Sequence, residues 1–318
     1  MIHEKILILM GENNWITRSM IDTGLVDVCT IYRDIHGISK LFFKLEHRLN
    51  SGNKSQWYNS EWSEHVSDYN VIILFDAFDD SDIVEYICRK APNTRLIIYY
   101  YNMIKRVELL DRIKTLDCEI WSFDKNDAIK YKLKYNPQFY FRKIDFDGDV
   151  LRNFDYKSDV FFVGKDKNRL SSLMNIDMQL QNNGVRTKFI VVGDRQQRYT
   201  SKQKNYLGKH ISYAECIEYV KHTKCIFDMV QKGQKGQKGQ KGMTLRVVEA
   251  MFFNKKLITN NDNILYMDFY DSQNIYVIGH DNRSMSDFIL QTRAKWSEKF
   301  IHEYSFENWL NNFMNGEK

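Results

Sequence analysis

The segment GMTLRVVEAMFFNKKLITNN (242–261) gathers residue types suited to a phosphorylated ligand. Gly242 and Thr244 stand where a loop enters a helix expected over 244–253. A helix start presents unpaired amides and a partial positive charge, and so makes a seat for phosphate. Arg246, in the first turn, adds a forked pair of donors. Glu249 lies about one and a half turns beyond Thr244 and can reach another part of the same ligand. A carboxylate accepting from both hydroxyls of a ribose is one way to recognise a nucleoside. A second loop, FFVGKDKNRL (161–170), has related chemistry: Gly164 permits a tight strand-to-helix turn, and Lys165 and Arg169 set cations beside it. An ordinary turn with solvated charges explains that second loop equally well.

These loops need a scaffold, and the apolar runs supply one. KILILM (5–10), VIILF (71–75), RLIIYYY (95–101), CEIWSF (118–123), DVFFVG (159–164), KFIVVG (188–193), KCIFDMV (224–230), KKLITN (255–260) and NIYVIG (274–279) are near-continuous rather than alternating. That pattern marks strands covered on both faces of a parallel sheet, and their alternation with helical stretches predicts α/β layers. The runs fall into two sets around the charged segment 139–159, so a domain boundary is expected near 145–157, giving domains 1–150 and 151–318. Residues 284–314 have helical periodicity with Phe, Trp and Met anchors and predict one or two closing helices. The repeat QKGQKGQKGQKG (231–242) cannot form a core and predicts a solvated loop, either a duplicated insertion or lysines approaching a diphosphate or an anionic membrane.

The 242–261 segment resembles the donor-binding segment of GT-B glycosyltransferases, particularly bacterial ones of lipopolysaccharide and capsule synthesis with a group 1-like donor domain. Strand order extends the likeness over the C-terminal half, and the N-terminal half matches in general layout. The resemblance implies two Rossmann-like α/β domains facing a cleft, an N-terminal acceptor domain and a C-terminal nucleotide-sugar donor domain. It implies that Glu249 binds the donor ribose, that Gly242, Thr244 and Arg246 lie near the diphosphate, and that Gly164, Lys165 and Arg169 approach the phosphates. GKHISYAECIEYV (208–220) has the position of the family's base-recognition loop, making Ser212 and Tyr213 candidates; a helix cap and a packed aromatic are the alternative. Many retaining members carry a second glutamate where this chain has Gly242. The family draws its catalytic base from N-domain loops and often dispenses with a metal. Glu12, after KILILMG, and Asp76, after VIILF, are the candidates, at strand ends where open α/β sheets bind ligands. The implied partners are the nucleotide-sugar donor and a glycan or lipid-linked acceptor, with no separate cofactor.

Other signals bound the alternatives. Of the net charge of +5, four positive charges sit in the repeat as Lys232, Lys235, Lys238 and Lys241, leaving a remainder close to neutral that does not suit a nucleic-acid partner. The five cysteines form no CxxC pair, and neither HExxH, GxSxG nor a P-loop occurs. Asp80-Ser-Asp82 resembles the metal motif of GT-A transferases, yet it precedes an amphipathic helix that either residue could cap; Asp145, Asp147 and Asp149 complete no calcium loop. Neither is taken as a metal site. The rival functions are a GT-A-like metal-dependent transferase and a non-catalytic nucleotide-binding or scaffold protein. SKLFFKLEHRLN (39–50) puts Leu41, Phe42, Leu45 and Leu49 on one side of a possible helix, which either packs on the sheet or meets a membrane interface. With no apolar run long enough to span a bilayer and no signal-peptide layout, a cytoplasmic protein is expected, with peripheral membrane contact as an option.

Overall fold

The computed structural model describes residues 4–49, 54–76, 81–142, 156–230 and 243–315. The chain divides into two compact units, Met1–Pro137 and Gln138–Lys318. The first contains β1 (Ile6–Met10), α1 (Trp15–Asp22), β2 (Asp27–Thr30), α2 (Gly37–Leu49), α3 (Ser60–Ser63), β3 (Val71–Phe75) and α4 (Asp82–Lys90). It continues with β4 (Arg95–Tyr100), α5 (Val107–Ile113), β5 (Glu119–Ser122), α6 (Lys125–Tyr131) and β6 (Lys134–Tyr135). The second contains β7 (Ser158–Lys165), α7 (Leu170–Asn182), β8 (Thr187–Val192), α8 (Ser201–Tyr206), α9 (Tyr213–Lys221), β9 (Thr223–Asp228) and α10 (Leu245–Phe252). Then follow β10 (Lys256–Thr259), β11 (Ile275–Val277), α11 (Met285–Leu290), α12 (Glu298–Glu303) and α13 (Phe306–Asn315).

Among the described residues each unit builds one sheet, with orders β2-β1-β3-β4-β5-β6 and β11-β10-β9-β7-β8 and every strand pair parallel. Both are Rossmann-like: β1 lies between β2 and β3, and β7 between β8 and β9, so each sheet reverses its winding at its first strand. Ligands of open α/β sheets bind beyond the carboxyl ends of strands at such a reversal. The continuous apolar runs follow from helices on both faces, since every residue of β1 and β3 is buried.

All nine expected strands are present, together with two that the sequence did not announce. β2 is only partly buried, and β6 is two residues long, so neither carries an apolar run. The C-terminal segment forms three short helices rather than one or two, because extended backbone at Gln291 ends α11 and a turn at Tyr304 separates α12 from α13. α13 buries Phe306, Trp309, Leu310 and Phe313. Against it pack Phe139 and Phe141, and Tyr140 exchanges backbone hydrogen bonds with Tyr304 and Phe306 at 2.8 and 2.9 Å. The aromatic triplet 139–141 therefore belongs to the second unit. The expected boundary at 145–157 falls largely outside the described residues, as do the repeat 231–242, Gly242, Asp80, Asp145, Asp147 and Asp149. No helix among the described residues is long and apolar enough to cross a membrane.

Candidate functional site

The loop leaving β7 is shaped around Arg169. A Cβ added at Gly164 would stand 2.8 Å from Arg169 Nη2 and 3.3 Å from the Phe162 ring, so the glycine lets the guanidinium lie against the strand end. Its centre is 5.3 Å from the Phe162 ring centroid. Nε and Nη2 donate to the Lys165 carbonyl at 3.2 and 3.0 Å, and Nη1 donates to the Met229 carbonyl just beyond β9. Arg169 thus spans the β7–β9 reversal. Consecutive left-handed residues, Lys167 at φ 45° and Asn168 at φ 62°, make the tight turn, while Lys165 is exposed.

Asp166 was not anticipated in this loop. Its Oδ1 accepts from the amides of Arg169 (2.9 Å) and Leu170 (2.7 Å), and its Oδ2 accepts from the Tyr199 hydroxyl at 2.9 Å. Two amides at the start of α7 are therefore occupied by the chain's own carboxylate, and the loop offers an anion the Arg169 side chain rather than those amides.

Helix α10 differs. Thr244 holds its N-cap position at φ −91°, ψ 160°, and its side chain makes no capping hydrogen bond. By contrast, Thr200, Ser212 and Ser284 cap α8, α9 and α11. Val247, Val248, Ala250 and Met251 bury the helix, and left-handed Asn254 ends it. Beside its start lies Asp228, the buried last residue of β9, whose Oδ2 accepts from Thr259 Oγ1 at 3.0 Å. Burial pushes this carboxyl up, opposed by the Thr259 hydroxyl and by the charges of Arg246 and Arg169. Arg169 in turn is lowered by burial and by the nearness of Arg246, against the pull of Asp228 and Asp166. Two guanidinium groups, one from each side of the reversal, thus act on a single buried carboxyl.

Glu249 has 0% exposure. Its Oε1 accepts from the Tyr213 hydroxyl at 2.9 Å, and its Oε2 accepts from Arg246 Nη1. The Tyr213 hydroxyl also lies 2.6 Å from that of Tyr140, and Arg246 Nη1 reaches Cys216 Sγ at 3.3 Å. Burial works against the Arg246 charge, but Glu249 and Cys216 outweigh it and push its pKa up. Burial and the Glu249 charge push both tyrosines up, so they stay neutral donors. In this arrangement Glu249 holds Arg246, and a ribose hydroxyl would have to displace Tyr213 or Arg246 to reach it. Ser212 caps α9, accepting from Glu215 N at 3.2 Å while Glu215 accepts from Ser212 N at 2.8 Å. Ser212 and Tyr213 thus serve as a cap and a packed aromatic here. Arg246 and Glu249 stand at i and i+3 on one helix, a pairing signal present in the sequence. Nothing in it links Tyr140 to Tyr213.

In the first unit, Glu12 is exposed beyond β1. Asp76, at φ 42°, spends Oδ1 on the amides of Tyr101 (2.7 Å) and Asn102 (3.1 Å) and Oδ2 on the Asn102 side chain, tying the end of β3 to the exit of β4. Burial pushes its carboxyl up despite those bonds. Asp82 begins α4 and bridges to buried Lys54 at 2.8 Å, on the wall of a cavity of about 150 Å³ that Tyr58 and Tyr86 also line. Among the described residues no three His, Cys, Asp or Glu side chains are grouped to hold a metal ion.

No family model and no curated protein matches the chain. Among solved structures it is similar to a protein assigned as a UDP-N-acetylglucosamine 2-epimerase from Listeria monocytogenes, at 6% identity and TM-score 0.46 over 99% of this chain and 97% of that one. It is also similar to a protein assigned as a D-3-phosphoglycerate dehydrogenase from Ralstonia solanacearum, at 8% identity and TM-score 0.23 over 98% and 94%. These likenesses carry no residue correspondence, and the Rossmann-like assignment of each unit stands on its strand order.

Proposed function

We propose that this chain transfers a sugar from a nucleotide-sugar donor to a glycan acceptor, with the donor's diphosphate received in the second unit between Arg169 and the start of α10. The observation that carries it is Arg169 spanning the β7–β9 reversal, with Arg246 acting with it on buried Asp228, beside a helix start whose N-cap side chain makes no capping hydrogen bond. Like charges held together at a helix N-terminus are relieved by a polyanion, and the same groups steady the departing diphosphate as the glycosidic bond breaks. Glu249 holds Arg246 while the site is empty. Of the two carboxylates expected to deprotonate an acceptor hydroxyl, Glu12 is the one we carry, because Asp76 already spends both oxygens on the exit of β4. A surface glycan of the lipopolysaccharide or capsule type is the acceptor class that the 242–261 resemblance suggests, and two Rossmann-like units in one chain fit a GT-B-like enzyme.

Thermal shift against UDP, GDP, CDP and CMP, each with and without its sugar, tests the reading. A ligand at a hundred times its dissociation constant stabilises the fold by about 2.7 kcal/mol. Arg169→Met should abolish most of that shift, measured from a ligand-free melting temperature that falls with the loss of its bonds to the Lys165 and Met229 carbonyls. No response to any nucleotide, or an unaltered response in the variant, refutes the site. Engagement of Asp76 by the β4 exit also favours a second reading, a nucleotide-binding protein without turnover. Binding with neither sugar transfer nor donor hydrolysis would establish it.

A further inference from the structure

Helix α2 (Gly37–Leu49) exposes its apolar side. Ile38, Leu41, Phe42 and Leu45 are 73, 67, 58 and 52% accessible, and their i, i+3, i+4, i+7 spacing makes one continuous stripe. The helix is anchored by a different side. Phe43 meets the rings of Tyr32 and Trp57 with centroids 5.0 and 5.9 Å apart, and Glu46 accepts from Trp57 Nε1 at 2.5 Å and from Gln56 at 3.3 Å. The stripe therefore takes no part in holding the helix to its unit. Hydrophobic residues scattered singly on a surface need no explanation, whereas four in register on one helix do.

Charge says what covers them. Lys40 and Lys44 are exposed on one flank of the stripe, and the helix's single acidic residue, Glu46, is turned to Trp57 and Gln56. An apolar stripe with a basic flank and no opposing acid suits the interface of an anionic bilayer, where Leu and Phe enter the acyl boundary and Lys meets headgroup phosphates.

We infer that α2 is a membrane-interface helix, which lays the first unit on an anionic lipid surface through Ile38, Leu41, Phe42 and Leu45 with Lys40 and Lys44 at the headgroups. The inference is independent of the nucleotide site, which lies in the other unit. The test is flotation of the full chain with vesicles of phosphatidylcholine, or of phosphatidylcholine containing one quarter phosphatidylglycerol, alongside size-exclusion chromatography with light scattering. The wild-type protein should float with the anionic vesicles and be released by high salt. Leu41→Ser/Phe42→Ser/Leu45→Ser should remain in the soluble fraction with an unchanged melting temperature, because these side chains are already exposed. Lys40→Gln and Lys44→Gln should each weaken partitioning about fivefold. Failure of the wild type to float, equal flotation of the triple variant, or a wild-type dimer that the triple variant turns into a monomer would each overturn the proposal, the last by showing that a second copy covers the stripe.

Discussion

Replacing Glu249 by glutamine separates two roles that one carboxylate could have. If Glu249 is held in reserve for a ligand, the substitution weakens nucleotide binding and leaves the empty protein intact. The hydrogen bonds found here require the opposite order of effects. Glu249 is fully buried, with one oxygen on Tyr213 and the other on Arg246, so the neutral amide strands a guanidinium beside Asp228 without its nearest countercharge. Removing one partner of a buried ion pair costs about 3–5 kcal/mol. Arg246 keeps about a fifth of its side-chain surface, which lets water take up part of the charge and places the expected loss near the lower end, about 3 kcal/mol. For a unit of this size that corresponds to a fall of roughly 6–12 °C in melting temperature.

Calorimetry of the ligand-free protein reads this directly, and a double-mutant cycle with Arg246→Met isolates the pair. The expected coupling is at least about 1 kcal/mol, since the two side chains touch. Tyr213→Phe, which removes one hydrogen bond to a charged group, should cost less, about 1.5–3 kcal/mol. A loss below about 1 kcal/mol for Glu249→Gln, or strict additivity with Arg246→Met, would show that Glu249 does not hold the arginine, and the ribose role would regain its ground.

Gly164→Ala should cost some stability, because the new Cβ meets the Arg169 guanidinium, which is held to the Lys165 and Met229 carbonyls. By displacing the Arg169 guanidinium it should shrink the thermal shift given by nucleoside diphosphates, and an unaltered shift would refute the role given to that side chain. Asp159 supplies an acid dependence. Burial pushes its carboxyl up, but hydrogen bonds from Arg186 and Lys224 outweigh this and hold it at about 2. The stability it contributes is complete above the unfolded value near 3.9 and is lost as pH falls through 2, so Asp159→Asn should flatten the denaturant midpoint between pH 5 and 2. Lys255 runs the other way: burial, helped by the charge of Arg293, lowers its pKa to about 7 while its Nζ donates to the Lys221 carbonyl at 2.7 Å. The unfolded chain then binds more protons between about pH 7 and 10, so stability rises with pH across that window. Lys255→Met should remove that rise in a calorimetric series, and an identical pH slope in the variant would contradict the buried, proton-poor lysine.

The layout was legible because parallel strands covered on both faces have a one-dimensional signature. Runs such as ILILM and VIILF need no partner to be recognised, whereas β2 and β6 have too little buried surface to leave one. The start of α10 at Thr244 was equally plain, since a loop giving way to V-V-x-A-M announces a buried helix. Asp166 and Asp228 stayed hidden for a different reason. Each is a single carboxylate at a strand end, and what distinguishes it is which amides or hydroxyls arrive from residues 3 to 33 positions away. Glu12 and Asp76 show the same limit: both follow a buried strand, yet one is exposed and the other is bound by the exit of a neighbouring strand.

Glu249 is the most instructive case, because its type and spacing suit two chemistries. A carboxylate one and a half turns into a helix can reach past the helix start toward a ligand, and it can equally turn back to the arginine three residues before it. Local spacing cannot decide between these. The decision comes from Tyr140 and Tyr213, which close over the carboxylate and remove it from water. Once dry, a carboxylate without its cation is costly, so the pair is fixed by burial more than by its own attraction. On the proposed reading Arg246, the partner that keeps some solvent access, is the group that meets an anion, and Glu249 holds it while the site is empty. A phosphate ligand would then compete with Glu249 for the same guanidinium. Nucleotide binding should consequently strengthen in Glu249→Gln per molecule still folded, even as the variant loses stability.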